Sequence, residues 1–223
     1  FILVAGDLFD SNTVDRSTVA AACAAIARLR LPVYVIPGNH DNAGPGSVWK
    51  QEFFTRTVAE TAPNLHVLLE RKPEICSDAV ILPCPLFRRQ DSNDVLDWLQ
   101  NPDLAASLPA DRPWIVLAHG SIQGFDFTDP EDADGVANLL DLDRLAGLKA
   151  DYIALGDWHG AKSVRPNAWY SGTPELTTFP KGGDHDPGNA LLVDLAARGA
   201  APQVTKIPTA QIRWETMSAT VSD

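Results

Sequence analysis

The chain has 223 residues and a mass of 24.1 kDa, enough for one well-buried domain and short for two. Apolar residues make up 45% and charged residues 21%, the balance of an ordinary soluble globular protein. No run approaches the roughly 18 apolar residues of a membrane span, and no basic-then-apolar targeting segment leads the chain. A net charge of −11 with a pI near 4.8 has the wrong sign for unaided grip on a phosphate backbone, although a site built from carboxylates carries excess negative charge until its cations bind.

In chain order, residues 1–5 form an apolar, β-branched run that predicts a strand running into Gly6-Asp7-Leu8-Phe9-Asp10. Phe1 is not an initiator methionine and already lies inside this strand, so we expect residues upstream. Ser11-Asn12-Thr13 is a polar turn of the kind that precedes a helix, and Val19, Ala20, Cys23, Ile26 and Ala27 at helical spacing predict an amphipathic helix over residues 15–30. Leu31-Pro32 ends it. Residues 33–36 are a second apolar run, stopped abruptly by Pro37-Gly38 and followed by Asn39-His40-Asp41. This β-α-β unit implies parallel strands joined by a right-handed crossover.

Further on, residues 48–60 are expected to be helical, 65–69 and 79–82 to be short strands, and 91–99 a helix capped by Asp91 or Ser92. The run at 114–118 predicts a strand ending on His119. Residues 120–135 form a long acidic stretch; loops of this length are often functional, but most of its charges read as solvated. The leucine pattern of 139–148 predicts a helix. Residues 152–155 predict a strand opening onto Gly156-Asp157-Trp158-His159, and the chain then turns β-rich, with strands expected over 162–165, 168–171, 190–195, 203–207 and 212–217. Parallel units followed by antiparallel strands imply an α/β fold in which two sheets pack face to face with helices outside.

Taken alone, Asn39-His40-Asp41 is as compatible with a polar turn as with chemistry. Four apolar runs, however, each end on Asp, Asn or His, at Asp7, Asn39, His119 and Asp157, and in open α/β sheets ligands bind at that rim. A metal centre is the economical reading. The three cysteines have no ligand spacing, so Cys23 and Cys84 are expected to be buried or inert thiols in a reducing cytoplasm and no zinc knuckle is supported. His66 reads as structural or superficial, His185 as part of a solvated hairpin loop, and Arg88-Arg89 as a basic surface turn within reach of a phosphate backbone. The six tryptophans are scattered and form no base-stacking platform.

Together these residues resemble the calcineurin-like metallophosphoesterases. Gly6-Asp7-Leu8-Phe9-Asp10 matches that family's G-D-x-x-D motif, Gly38-Asn39-His40-Asp41 its G-N-H-D motif, His119 its isolated strand-end histidine, and Gly156-Asp157-Trp158-His159 its G-H-x-H motif with one change. The resemblance implies a four-layered α/β/β/α sandwich with two mixed sheets, spanning nearly the whole chain as a single nuclease-type domain. It implies two divalent cations, with manganese expected and iron or zinc compatible with a mixed N/O donor set. Cations roughly 3.5 to 4 Å apart require a bridging carboxylate, for which Asp7 is the candidate. Asn39 and His119 are then ligands of the second cation and His159 of the first, with Asp157 expected to coordinate in place of the usual histidine. His40 is assigned to the substrate as proton donor or charge stabiliser, Asp41 is the candidate to orient its ring, a turn role being about equal, and Asp10 is expected behind the ligands or at a helix cap.

Leu8-Phe9-Asp10 and Tyr170-Ser171-Gly172-Thr173-Pro174-Glu175 also resemble the DNA repair exonuclease branch, the SbcD type, which implies DNA as substrate, a coiled-coil SMC-like ATPase of the SbcC type as partner, homodimer formation, and a cytoplasmic location. The D-x-H motif expected on a first strand is absent from this sequence, and a capping domain is expected beyond residue 217 if the nuclease resemblance holds. Two alternatives follow: a phosphodiesterase or phosphatase acting on a small substrate, which the acidity favours, and a degenerate, non-catalytic binding member.

Overall fold

In the computed structural model the described residues are 1–122, 138–179 and 186–217. Strand β1 (Ile2–Val4) leads into helix α1 (Arg16–Leu29), then β2 (Val33–Val35), a 3₁₀ turn (Val48–Lys50), α2 (Glu52–Thr61) and β3 (Leu65–Val67). These three strands form a sheet of order β1-β2-β3, parallel throughout. After β4 (Glu74–Ile75) come β5 (Val80–Cys84), a 3₁₀ turn (Asp97–Gln100), α3 (Leu104–Ser107), β6 (Trp114–His119), β7 (Ser121–Ile122) and β8 (Leu139–Leu140). A 3₁₀ turn (Leu142–Leu145), β9 (Tyr152–Gly156), β10 (Lys162–Arg165) and β11 (Ala168–Tyr170) follow, and β12 (Asn189–Asp194) and β13 (Gln203–Pro208) form an antiparallel hairpin. The larger sheet is mixed, with order β10-β11-β9-β6-β5-β4.

Strand alternation explains the layers. Successive side chains of a strand point to opposite faces. In β2, Val33 and Val35 pack with Val19, Cys23, Ile26 and Phe54 of the helices, whereas Tyr34 and the following Ile36 face the other sheet and meet Ile81 and Leu117. In β6, Trp114, Val116 and Ala118 face outward onto Leu96, Leu99, Leu104 and Leu142, while Ile115 and Leu117 face the first sheet. The result is α1 and α2, then the two sheets, then a layer of short 3₁₀ turns and α3. The β12–β13 hairpin closes one end, its Val193 and Val204 packed beside Tyr152 and Ile115.

Three expectations are corrected by the local geometry. Residues 91–99 form no α-helix: Asp94 spends its carboxylate on the Leu96 and Asp141 N–H groups, and only the 3₁₀ turn Asp97–Gln100 follows. Residues 139–148 are a two-residue strand and a 3₁₀ turn. Leu142, Leu145 and Leu148 are buried at a spacing of three, which suits a 3₁₀ turn as well as a helix, and Asp141 caps the Asp143 N–H. Residues 212–217 form no strand; the Glu175 carboxylate accepts the Gln211 and Ile212 N–H groups that a sheet partner would need. The acidic stretch 123–135 and His185 lie outside the described residues.

Candidate metal and phosphoester site

The C-terminal tips of β1, β2, β6 and β9 meet where the two sheets converge. His119 ends β6 and is 1% exposed. Its Nδ1 lies 2.7 Å from the Ala5 carbonyl, which can only accept, so Nδ1 carries the proton and Nε2 presents a lone pair. That lone pair faces Asn39 Oδ1 at 3.1 Å, Asp7 Oδ2 at 3.4 Å and Asp157 Oδ1 at 3.7 Å. With the ring in that tautomer, one nitrogen and three oxygens converge. A cation reconciles such a set, and the backbone carbonyl behind the imidazole is the support that fixes a ligating ring.

Two close approaches hold these donors together. A Cβ on Gly156 would land on the Ala5 carbonyl and within 2.8 Å of His119 Nδ1, and a Cβ on Gly38 would strike the Asp7 carboxylate and its backbone nitrogen. Only glycine lets the strand tips meet this closely. Asp7 and Asp157 themselves have positive φ, 53° and 103°, so both carboxylates are carried on unusual backbone. Asp7 Oδ1 is held by the His40 N–H at 3.0 Å, and Asp157 Oδ2 by the Ser121 hydroxyl at 2.8 Å.

The other site residues fall differently. Asp41 is fully buried, and its carboxylate accepts the Gly38 N–H at 2.7 Å and the Phe9 N–H at 3.1 Å. It therefore staples the second motif to the first and does not touch the His40 ring. Burial, with Asp7 nearby, pushes its pKa up to about 6, against the pull of the two N–H groups. The group beside His40 is Asp10, whose carbonyl lies 3.1 Å and whose carboxylate lies 3.7 Å from Nδ1. The helix cap in this region is Asp15. His159 is exposed, and its ring makes no hydrogen bond or ion pair among the described residues; its carbonyl instead receives the Thr173 N–H at 2.9 Å. Tyr170 donates to the Gly120 carbonyl at 2.6 Å, and burial pushes its phenol well up. The Tyr170–Glu175 segment thus props the His119 and His159 turns.

The chemistry of His119, Asn39, Asp7 and Asp157 is that of divalent-cation donors. Among the described residues, however, no group of three or more His, Cys, Asp or Glu side chains is arranged to hold a metal ion. A second cation between Asp7 and His159 finds no such convergence. Ser121, the Ala5 carbonyl and Tyr170 were not singled out as supports from sequence, because a serine or a main-chain oxygen carries no distinguishing pattern.

The fold is thus a layered α/β sandwich with acidic, amide and imidazole groups gathered at its strand tips. The chain belongs to the calcineurin-like phosphoesterase family, whose model matches residues 1–199. Membership implies metal-dependent hydrolysis of phosphoesters, and divalent metals are typical of the family. Solved structures include a crystal structure similar over 86% of this chain and 73% of its own, at 15% identity and a TM-score of 0.48. No curated protein matches.

Proposed function

We propose that the chain is a metal-dependent phosphodiesterase acting on DNA as a repair exonuclease or endonuclease, with His40 as the group that meets the leaving oxygen. The observation that carries the reading is the His119 lone pair facing three oxygens, beside a half-exposed His40 whose own N–H is tied to the same Asp7. A divalent cation bound there supplies Lewis-acid polarisation of a phosphoryl oxygen. Asp7, Asn39, Asp157 and His119 would hold it. The Asp10 carbonyl accepts from His40 Nδ1, so it is the imidazolium, carrying its second proton on Nε2, that would give that proton to the departing oxygen or stabilise its charge. Manganese is the expected ion, iron or zinc being compatible with the donors; the other cation that the resemblance implies would take Asp7 and His159, which do not converge in this structure. The SbcD-type resemblance supplies DNA and a coiled-coil ATPase partner.

The acidity of the chain favours a second reading, hydrolysis of a small phosphodiester. The test is manganese-dependent release of nucleotides from a labelled duplex beside turnover of a small chromogenic phosphodiester, with H40A as control. DNA hydrolysis lost in H40A with metal content unchanged is the expected result. Turnover of the small diester alone selects the second reading, and neither activity in a metal-loaded protein overturns both.

A further inference from the structure

Arg88 and Arg89 follow strand β5 on the rim that carries the site, and both are exposed. Their segment is anchored to both walls of that site. Upstream, the Leu86 carbonyl accepts from Ala43 N–H at 2.8 Å and its N–H donates to Pro37 O at 3.2 Å, bracketing the loop that bears Asn39 and His40. Downstream, the buried Asn138 side chain donates to the Arg89 carbonyl at 3.0 Å and accepts the Asp91 N–H at 2.8 Å. The Asn138 carbonyl in turn receives the N–H of Ser121, whose hydroxyl holds Asp157. Two arginines are therefore placed by the same contacts that place the ligands.

Their charge is also open to a ligand. In a chain of net charge −11, Arg112, Arg144, Arg165 and Arg198 are each neutralised by a carboxylate; Arg88 and Arg89 are among the arginines that make no ion pair among the described residues, and what sets them apart is their place beside the site. Behind them the Arg71 guanidinium lies 5.1 Å over the Phe87 ring, and its Nε is buried without a hydrogen-bond partner among the described residues. Guanidinium forks bind phosphates in pairs of hydrogen bonds, and arginine is the side chain suited to that contact.

We propose that Arg88 and Arg89, backed by Arg71, bind the phosphates next to the scissile one and so select a nucleic-acid strand over an isolated phosphodiester. The proposal rests on the phosphodiesterase reading above, and it reconciles an acidic chain with a polyanionic substrate by confining the positive charge to the rim. The test compares the native chain with R88A/R89A in two assays. One is binding of a short labelled single-stranded DNA in EDTA across a salt series, which needs no metal and no turnover. The other is manganese-dependent hydrolysis of bis(p-nitrophenyl) phosphate.

The slope of log affinity against log salt should flatten by about 1.4 in the double variant, the value for two lost phosphate contacts on a single strand, while kcat/KM for the small diester stays the same. R88K/R89K should keep the slope and lose affinity, since it retains charge without the fork. An unchanged slope and affinity in R88A/R89A, or no strand binding by the native chain, overturns the proposal. A flattened slope in a chain that hydrolyses neither substrate leaves the arginine pair standing and fails the hydrolytic reading instead.

Discussion

At the scale of single residues, the site separates donors from the groups that aim them. Asp157 stands where a histidine is usual in this family, on backbone at φ 103°, and its second oxygen is spoken for by the Ser121 hydroxyl. Removing such an outer partner weakens cation affinity by about 10- to 100-fold while leaving the fold alone. We expect S121A to show that loss in manganese titration with unchanged circular dichroism; equal affinity in the two proteins would mean that Asp157 does not coordinate. Asp41 illustrates the opposite case. Sequence placed it beside His40 with a turn role as the alternative, and the structure gives its carboxylate to two main-chain N–H groups, while the Asp10 carbonyl takes the His40 ring. Nothing in a string of polar residues says which of two carboxylates turns inward.

At the scale of elements, short pieces are held by side-chain caps. Helix α1 begins at Asp15, whose carboxylate accepts from the Thr18 N–H and hydroxyl and from the Ser17 hydroxyl. Those bonds, the Ser17 contact foremost, lower its pKa to about 2. A folded-state pKa below the unfolded value means the unfolded chain binds the proton more tightly, so the cap's contribution is present above about pH 4 and lost as pH falls through about 2. The melting temperature of D15A should therefore lie below that of the native chain near neutrality, with the gap closing between pH 4 and pH 2, whereas D15N should show little loss because asparagine also caps. A gap that is constant with pH would assign the effect to something other than the carboxylate. Where sequence periodicity misled, it did so for a related reason: the leucines of 142–148 repeat every three residues, a period that does not separate a 3₁₀ turn from a helix.

At the scale of the whole molecule, the β12–β13 hairpin is tied to the larger sheet through one buried acid. Asp151 is 5% exposed and accepts from Arg198 Nη1 at 2.8 Å, from Trp114 N–H at 2.7 Å and from Gly199 N–H, while the guanidinium lies 3.8 Å over the Trp114 ring. Removing one partner of a buried pair leaves an uncompensated charge, at a cost of about 3 kcal/mol. R198A should lower the urea midpoint accordingly without altering cation binding, since the strand tips lie on other contacts. A midpoint within error of the native value would show that the hairpin docks by its apolar face alone. Among the described residues no helix is long and apolar enough to cross a membrane.

The sequence by itself determined which strands end in chemistry. Apolar runs that end on Asp7, Asn39, His119 and Asp157, three of them broken by glycine or proline first, are local patterns, and local patterns are what a single chain displays. The family and the layered α/β architecture were legible for the same reason. Tertiary structure alone decided how those tips serve one another. The Ala5 carbonyl that sets the His119 tautomer lies 114 residues away in sequence, and the Asn138 side chain that pins the arginine segment lies 49 residues from Arg89. Main-chain oxygens and N–H groups are the same in every residue, so a site aimed by them leaves no mark in the sequence until the chain has folded.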